Sequence, residues 1–315
     1  MTSINSLRPG VYRFREVLVR RKVEAGIEVH PDLMEIYSRI LDVGRAADGT
    51  YGCNGTRVAN NDVLRLNFLS ENDGSLEIGL AKSSYLMRSA FAQLAQERGW
   101  DFSDSVHAIG AMAYSPLIAN ASALSVVRDD KGSYCLVSHV RGMREVGTGA
   151  LLSVLSAGHI DAKMLSLADT LPDAALFYDP FTATLDHEMR DEVGFTFSSL
   201  ERTRFKYLVV EGKTGAVNVA CVVRGISHDD VLASYEALTR RLLECGEVPE
   251  VGGIVFLPIE RSSEGSDLES YIPTPNGLER NMISNDAPRR PYTFQVERFL
   301  ETYANRKVLL EDAGF

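Results

Sequence analysis

The spacing of apolar residues divides the first third of the chain into short predicted elements. Hydrophobic and polar residues alternate on both sides of the turn-like stretch 71–74, which is typical of a β-hairpin. Apolar residues recur at helical spacing from 33 to 41, within a segment 7–45 of general helical tendency. Residues 86–98 are good helix formers followed by Gly99. The pattern predicts a small α+β unit.

Strand-like runs dominate the chain beyond that unit. The predicted strands are 123–128, 133–140, 151–155, 205–210, 216–224 and 253–258. An amphipathic pattern predicts a helix over 229–244, and 292–305 is predicted to form a closing helix. The polar stretch 262–291 is rich in Pro, Gly and Asn and is predicted to be loop. These strands predict a mixed sheet.

A mild change of composition marks a boundary between two predicted domains. Pro116 and the small residues 119–122 separate a smaller N-terminal α+β domain, residues 1–118, from a second domain, residues 119–315. The first domain contains no catalytic constellation. We expect it either to cover and complete an active site or to join two chains in a homodimer.

Composition limits the classes of partner. The 315 residues carry a net charge of −10, which argues against binding a nucleic-acid polymer, because phosphate recognition requires a basic surface. The basic segment Arg13 to Lys22 could contact a substrate phosphate, but such segments more often pair with carboxylates of their own chain. No apolar run approaches the length of a membrane span, so we expect a cytoplasmic enzyme that does not bind membranes.

The four cysteines lie far apart and show no metal-ligand spacing. Cys135 and Cys221 fall within apolar, strand-like runs. We therefore expect reduced, buried thiols rather than disulfides or a zinc site.

An acidic segment at 179–195 carries the candidate chemistry. Glu188, Asp191 and Glu192 are spaced i, i+3 and i+4, so on a helix their carboxylates would stand on one face. Leu185, Met189 and Val193 would form an apolar stripe, and Gly194 could end the helix in a left-handed conformation. A solvated acidic face is the simpler interpretation. Clustered hard oxygen ligands are, however, typical of Mg²⁺ or Mn²⁺ sites.

The order of residues in this segment resembles a known motif. His187 to Phe195, HEMRDEVGF, is similar to the second half of the box of the Nudix hydrolase family, Arg-Glu-hydrophobic-x-Glu-Glu-x-Gly-hydrophobic. Asp179 stands where the box has its first Glu, and Ser156 to Asp161 resembles the family's Gly-Gly-His-hydrophobic-Glu opening. The resemblance covers roughly residues 119 to 260.

The chain departs from the Nudix pattern at three points. His187 replaces the box Arg that orients the neighbouring Glu, and Asp191 replaces a metal-binding Glu with a shorter side chain. The extra residues Ala162 to Tyr178 separate the glycine loop from the helix. We expect this insertion to project over the substrate mouth and to contribute to substrate choice.

The resemblance implies an α/β/α sandwich and a metal-dependent diphosphohydrolase. Its implied metal ligands, for Mg²⁺ or Mn²⁺, are Glu188, Asp191, Glu192 and a carbonyl of the Gly158 loop, with Glu188 or Glu192 acting on the attacking water. Candidate substrate contacts are Arg141, Arg144 and His159, and His187 and Asp179 would support the ligands.

The substrate and the activity itself are left open by the sequence. The substrate would be a small molecule, either a nucleoside diphosphate derivative or another organic diphosphate. A prenyl-type diphosphate hydrolase or isomerase and a non-catalytic Nudix module that senses a nucleotide-like metabolite are alternatives. As an exposed acid, Glu192 should be replaceable by Gln without loss of the fold, but turnover should fall by about two or more orders of magnitude if Glu192 binds the ion.

Overall fold

The protein has a mixed α/β fold made of two compact units. The computed structural model describes residues 4, 7–20, 29–53, 56–58, 60–101, 117–141, 152–163, 179–211, 216–259, 268–283 and 294–315. Unit 1 comprises Met1–Ala121, His159–Thr184 and Phe205–Val219, and unit 2 comprises Ser122–Gly158, Leu185–Arg204 and Ala220–Phe315. Each unit is thus assembled from three separate stretches. The two consecutive domains expected from the sequence stay a prediction.

Strands make up most of the described elements. They are β1 (Gly10–Arg13), β2 (Glu16–Arg20), β3 (Tyr51–Cys53), β4 (Thr56–Val58), β5 (Asp62–Asn72), β6 (Ser75–Ser84), β7 (Ile118–Arg128), β8 (Tyr134–Arg141), β9 (Leu152–Ser153), β10 (Ser156–His159), β11 (Tyr207–Val210), β12 (Ala216–Val223), β13 (Val251–Pro258), β14 (Leu268–Thr274) and β15 (Gly277–Ile283).

The helices lie between and after these strands. They are α1 (Pro31–Asp42), α2 (Tyr85–Arg98), α3 (Pro180–Glu192), α4 (His228–Glu244), α5 (Phe294–Glu301) and α6 (Tyr303–Ala313), with a 3₁₀ turn at Phe197–Ser199.

The hairpin of β5 and β6 is the longest pairing in unit 1. Asp73 and Gly74 form its two-residue turn with φ of 47° and 75°, values that match the right-handed twist of the flanking strands. Strand β2 runs parallel to β6, and β1 pairs antiparallel with β11. The strands of unit 1 are therefore mixed in direction, and the predicted hairpin is confirmed.

Helices α1 and α2 share a hydrophobic cluster in unit 1. The side chains of Leu33, Ile36 and Ile40 are buried on one face of α1, as the helical spacing predicts. Ser84 caps the start of helix α2, because its hydroxyl accepts from the Met87 amide. Gly99 caps the end of the helix with a left-handed φ of 65°. Both predicted helices are confirmed.

Unit 2 contains an antiparallel run of strands in the order β7, β8, β13, β14 and β15. Helix α4 begins with a capping box, because Ser227 and Asp230 each accept from the other's backbone amide. The Tyr235 hydroxyl of α4 donates to the carbonyl of Val251 at 2.7 Å, and burial raises the pKa of this phenol. The buried face of α4 thus carries a satisfied polar group.

Three sequence predictions of secondary structure are wrong. The segment 7–45 was expected to be helical in tendency, but it contains β1 and β2, whose four or five residues are defined by pairing with β11 and β6 rather than by local propensity. The polar stretch 262–291 contains the hairpin of β14 and β15, because Pro275 and Asn276 form a two-residue turn between Thr274 and Gly277. The closing helix is two helices, since Thr302 caps α6 by accepting from the Asn305 amide.

All four cysteines are free thiols, as predicted. Cys53, Cys135 and Cys221 are buried, whereas Cys245 is exposed, so burial was wrongly expected for that residue. Burial raises the pKa of the Cys135 thiol to about 12, with a further contribution from the Asp129 carboxylate. Cys135 is therefore an unreactive core residue.

Within the described residues, no helix has the length and apolar character needed to cross a membrane.

Candidate functional site

Helix α3 carries most of the predicted site residues, and its ends are fixed by the sequence. Asp179 caps the first turn, because its carboxylate accepts from the Phe181 amide at 3.0 Å and from the Thr182 hydroxyl at 2.7 Å. This structural role differs from the ligand-supporting role expected for Asp179. At the other end, Gly194 adopts a left-handed φ of 83°, as predicted.

The apolar stripe of α3 orients its acidic residues. Leu185, Met189 and Val193 are each fully buried in the core, as the i, i+4, i+8 spacing predicts. Glu192 lies seven residues after Leu185 and three after Met189, so it stands at the edge of the same stripe. Its side chain is consequently turned toward the protein interior.

Glu192 is therefore a buried acid, and the prediction that it is exposed is wrong. Its side chain is only 4% exposed. The Ser156 hydroxyl donates to Oε2 of Glu192 at 2.5 Å, and Nε2 of His139 lies 3.9 Å from Oε1. Nδ1 of His139 is 3.2 Å from the carbonyl oxygen of Leu155. The carboxylate thus belongs to a buried polar network that joins α3 to β8 and β10.

Glu188 stands one turn before Glu192 and packs against the glycine strand. A Cβ atom on Gly158 would fall well inside van der Waals contact with Cγ, Cδ and Oε1 of Glu188. Only glycine permits this close approach, since any other residue would displace the carboxylate. The predicted proximity of the Gly158 segment and the acidic helix is present in unit 2.

Asp191 and His187 form a separate pair on the outer side of the helix. Nδ1 of His187 lies 3.1 Å from Oδ2 of Asp191, at i, i+4 spacing, and both side chains are more than half exposed. The structure therefore brings Gly158 to Glu188 and Ser156 to Glu192, but it leaves Asp191 with His187. Residues 188, 191 and 192 lie within one turn of α3, as their spacing predicts, but the side chains of Asp191 and Glu192 have different partners.

The oxygen donors of this arrangement suit a hard divalent cation, although they are fewer than the sequence predicts. Among the residues that the structure describes, no group of three or more His, Cys, Asp or Glu side chains is arranged to hold a metal ion. Glu188 and Glu192 nevertheless offer carboxylate oxygens one turn apart, and a carboxylate as buried as that of Glu192 is stabilised by a nearby positive charge. Carboxylates combined with main-chain oxygens and water are the ligands that Mg²⁺ and Mn²⁺ prefer.

No protein-family model matches this chain. A search of curated proteins likewise finds no match.

The predicted substrate contacts do not gather at this site. His159 belongs to unit 1, where its Nδ1 is paired with Oδ1 of Asn120 and its ring makes an edge contact with Tyr85, with centroids 4.8 Å apart. The backbone of Arg141 pairs with Val251 at the end of β8, but its side chain lies outside the described residues. Arg144 and residues 164–178 of the insertion also lie outside them.

The basic segment near the N-terminus is described only in part. Residues 21–28 lie outside the described ranges. Arg15 donates to the Ser75 hydroxyl at 3.0 Å and lies 3.8 Å from the Glu16 carboxylate. Arg15 therefore contacts groups of its own chain, as the simpler interpretation of this segment predicts.

Two residues of the buried network were missed from the sequence. His139 lies inside an apolar strand-like run and Ser156 directly follows one, and both side chains are less than 2% exposed. A polar residue at a buried strand position needs a hydrogen-bond partner, which is the signal that could have identified them.

Proposed function

We propose that this protein is a Nudix-type hydrolase that cleaves a diphosphate linkage in a small molecule with the help of Mg²⁺ or Mn²⁺. The observation that carries the proposal is the contact between Gly158 and Glu188, with Glu192 buried one turn further along α3. A glycine strand against an acidic helix is what the HEMRDEVGF resemblance leads one to expect. The buried carboxylate adds a reason for a cation at this position.

The two glutamates would have different roles because their surroundings differ. Glu192 is almost completely buried and accepts from Ser156, which suits a fixed cation ligand. Glu188 is half-buried, so it retains access to solvent and can orient a water molecule or accept its proton. A carbonyl of the Gly158 segment is the proposed third protein donor, and Asp191 is outside the set.

Hydrolysis would proceed by attack of water on a phosphorus atom of the diphosphate. The water would lose a proton to Glu188, the bridging P–O bond would break, and the leaving phosphate would depart with the bonding electrons. The cation, when bound, would supply positive charge for the non-bridging oxygens. The substrate class is defined by the two linked phosphates.

A second candidate function is supported by the His187–Asp191 pair. If Asp191 is needed for turnover, its pairing with an exposed histidine would favour a module that binds a diphosphate compound without cleaving it. Such a protein would act as a sensor of a nucleotide-like metabolite.

The experiment that separates these functions is a panel of diphosphate compounds assayed for phosphate or nucleotide release with and without Mg²⁺ or Mn²⁺. We expect release from at least one compound, and about 100-fold lower turnover in Glu192→Gln and Glu188→Gln. Gln at 192 keeps an oxygen that can accept from Ser156, so folding should be preserved. Glu244→Gln, an exposed change on α4, is the matched control.

Two results would decide against hydrolysis. One is unchanged turnover in both glutamate variants, which would remove Glu188 and Glu192 from the site. The other is binding of a diphosphate compound, measured by calorimetry, without metal-dependent release from any member of the panel, which would favour the sensor.

A further inference from the structure

The dipeptide Leu155-Ser156 holds two buried polar side chains at once. The Leu155 carbonyl oxygen lies 3.2 Å from Nδ1 of His139, and the Ser156 hydroxyl donates to Oε2 of Glu192 at 2.5 Å. Nε2 of the same histidine faces the other oxygen, Oε1, of Glu192 at 3.9 Å. Two adjacent residues therefore contact the Glu192 carboxylate at Oε2 and the histidine that faces Oε1.

The orientation of a glutamate carboxylate is otherwise weakly defined. Its last torsion joins an sp³ to an sp² carbon and has broad, shallow minima, so packing alone does not fix the plane of the two oxygens. A hydrogen bond from a hydroxyl to a charged oxygen is short and strong, and it fixes that plane. At 4% exposure, water has little opportunity to replace such a donor.

We propose that Ser156 is a positioning residue, whose hydroxyl fixes the orientation of the Glu192 carboxylate as a ligand of a divalent cation. This inference rests on the proposed function, because it assigns Glu192 as the cation ligand. Residues that hydrogen-bond to a metal ligand commonly change metal affinity about 10- to 100-fold when they are removed. Ser156 itself need not touch the cation or the substrate.

A second buried serine, Ser138, provides a comparison for Ser156. Ser138 on β8 is also fully buried, and its hydroxyl has no hydrogen-bond partner within the described part of the chain. Ser138 immediately precedes His139 in sequence, yet it makes no contact that would orient Glu192. Ser138→Ala therefore removes the same chemical group from the same kind of environment and serves as the matched control.

Three substitutions of Ser156 in the full-length chain distinguish the effect of its hydrogen bond from the effect of its side-chain size. Ser156→Ala removes the donor, Ser156→Cys keeps the shape with a much weaker donor, and Ser156→Thr keeps the hydroxyl while adding a methyl group. The readouts are Mn²⁺ affinity, from titration followed by electron paramagnetic resonance, and stability, from urea unfolding. Glu192→Gln identifies the Mn²⁺ signal that belongs to this site.

The proposal predicts that the substitution that most weakens Mn²⁺ binding is not the one that most lowers stability. Mn²⁺ affinity should fall about 10- to 100-fold in Ser156→Ala, fall by a smaller factor in Ser156→Cys, and stay near wild type in Ser156→Thr and Ser138→Ala. Stability should fall most in Ser156→Thr, where the added methyl group enters a fully buried position. At saturating Mn²⁺, the kcat of Ser156→Cys should approach that of the wild type, while its activation requires more metal.

A purely structural role of Ser156 gives a different result. In that case Ser156→Cys would bind Mn²⁺ like the wild type and Ser156→Thr would not, which would overturn the proposal. If Ser156→Ala fails to fold, the Mn²⁺ affinities of Ser156→Cys and Ser156→Thr still distinguish the two roles.

The outcomes distinguish this proposal from the proposed function. A wild type that binds Mn²⁺ in the expected order of variants but hydrolyses no diphosphate would contradict the function alone. Metal-dependent hydrolysis with equal Mn²⁺ affinity in all Ser156 variants would contradict the positioning role alone. A wild type without Mn²⁺ binding that depends on Glu192 would reject both.

Discussion

Glu188 and Glu192 stand one turn apart on α3 but differ in solvent access and in partners. Glu188 is half-buried against Gly158, whereas Glu192 is buried and accepts from Ser156. Two carboxylates that differ in solvent access and in hydrogen-bond partners can take different chemical roles. The glycine that allows one of them to approach the strand is therefore itself a testable part of the site.

Under the proposed function, Gly158→Ala should lower hydrolytic activity much more than stability. The backbone of Gly158 is not in the left-handed region, so alanine causes no torsional strain there, and the three atoms nearest to the added methyl all belong to the flexible side chain of Glu188. The carboxylate should move by about 1 Å, a displacement that can reduce turnover roughly 100-fold. Steady-state kinetics and urea unfolding of the same variant measure the two effects.

Gly52→Ala is the control for this substitution. Gly52 also lies in a strand, and a Cβ there would meet nothing within 4 Å. Both its activity and its stability should match the wild type. Wild-type turnover in Gly158→Ala would show that the position of Glu188 is not important for catalysis.

At the level of single residues, the sequence predicts the parts of the site that depend on local spacing. The apolar stripe, the left-handed Gly194 and the proximity of Gly158 follow from residues close to α3. Ser156 could not be predicted as the partner of Glu192, because the two residues are 36 positions apart and meet only through the packing of β10 on α3. The outward pairing of Asp191 with His187 follows from i, i+4 spacing, although the acidic pattern suggested a shared metal site instead.

At the level of elements, the end of α3 is held by its packing on α4. A Cβ atom on Gly194 would lie 2.8 Å from both the carbonyl oxygen and the hydroxyl of Ser234, and 3.3 Å from Cβ of Leu238. The Ser234 hydroxyl also donates to the Val193 carbonyl at 2.9 Å. Gly194 therefore serves two purposes, since it ends α3 and lets α4 approach closely.

Gly194→Ala should destabilise the protein by about 2–5 kcal/mol, the sum of left-handed backbone strain and overpacking. Gly246→Ala isolates the first effect, because Gly246 has a similar φ of 73° but open space around its Cβ position. Gly246→Ala should lower the free energy of unfolding by only about 1–2 kcal/mol. Urea unfolding of the two variants gives the difference, and equal losses would show that the contact with Ser234 contributes nothing.

Elements were predicted best where the local pattern and the tertiary contacts agree. Helices α1, α2 and α4 combine apolar stripes with capping residues, so their existence is evident from the sequence. Strands β1 and β2 are short and depend on distant partners, which no local pattern reveals. The prolines and polar residues of the β14–β15 hairpin hid it in the sequence, although the turn residues Pro275 and Asn276, followed by Gly277, were a usable signal.

At the level of the whole molecule, unit 1 depends on stretches from three parts of the chain. Strand β1 pairs with β11 over four residues, from Gly10 with Val210 to Arg13 with Tyr207. The Leu64 amide donates to the Ile160 carbonyl at 2.9 Å. Cutting the chain after residue 118 would therefore separate both β11 and Ile160 from their hydrogen-bonding partners.

Residues 119–315 expressed alone should consequently fail to unfold cooperatively. Loss of β1 and β5 uncovers the buried side chains of Tyr207, Leu208 and Ile160, and each fully buried apolar side chain stabilises the fold by about 1.5–3 kcal/mol. Such losses are comparable to the entire stability of a typical domain. Thermal unfolding followed by circular dichroism, together with dye binding to exposed apolar surface, measures the effect, and co-expression of residues 1–118 should restore the transition. A monomeric 119–315 fragment that unfolds cooperatively at the Tm of the full chain would instead establish residues 119–315 as an independent domain, as the composition change near residue 118 suggests.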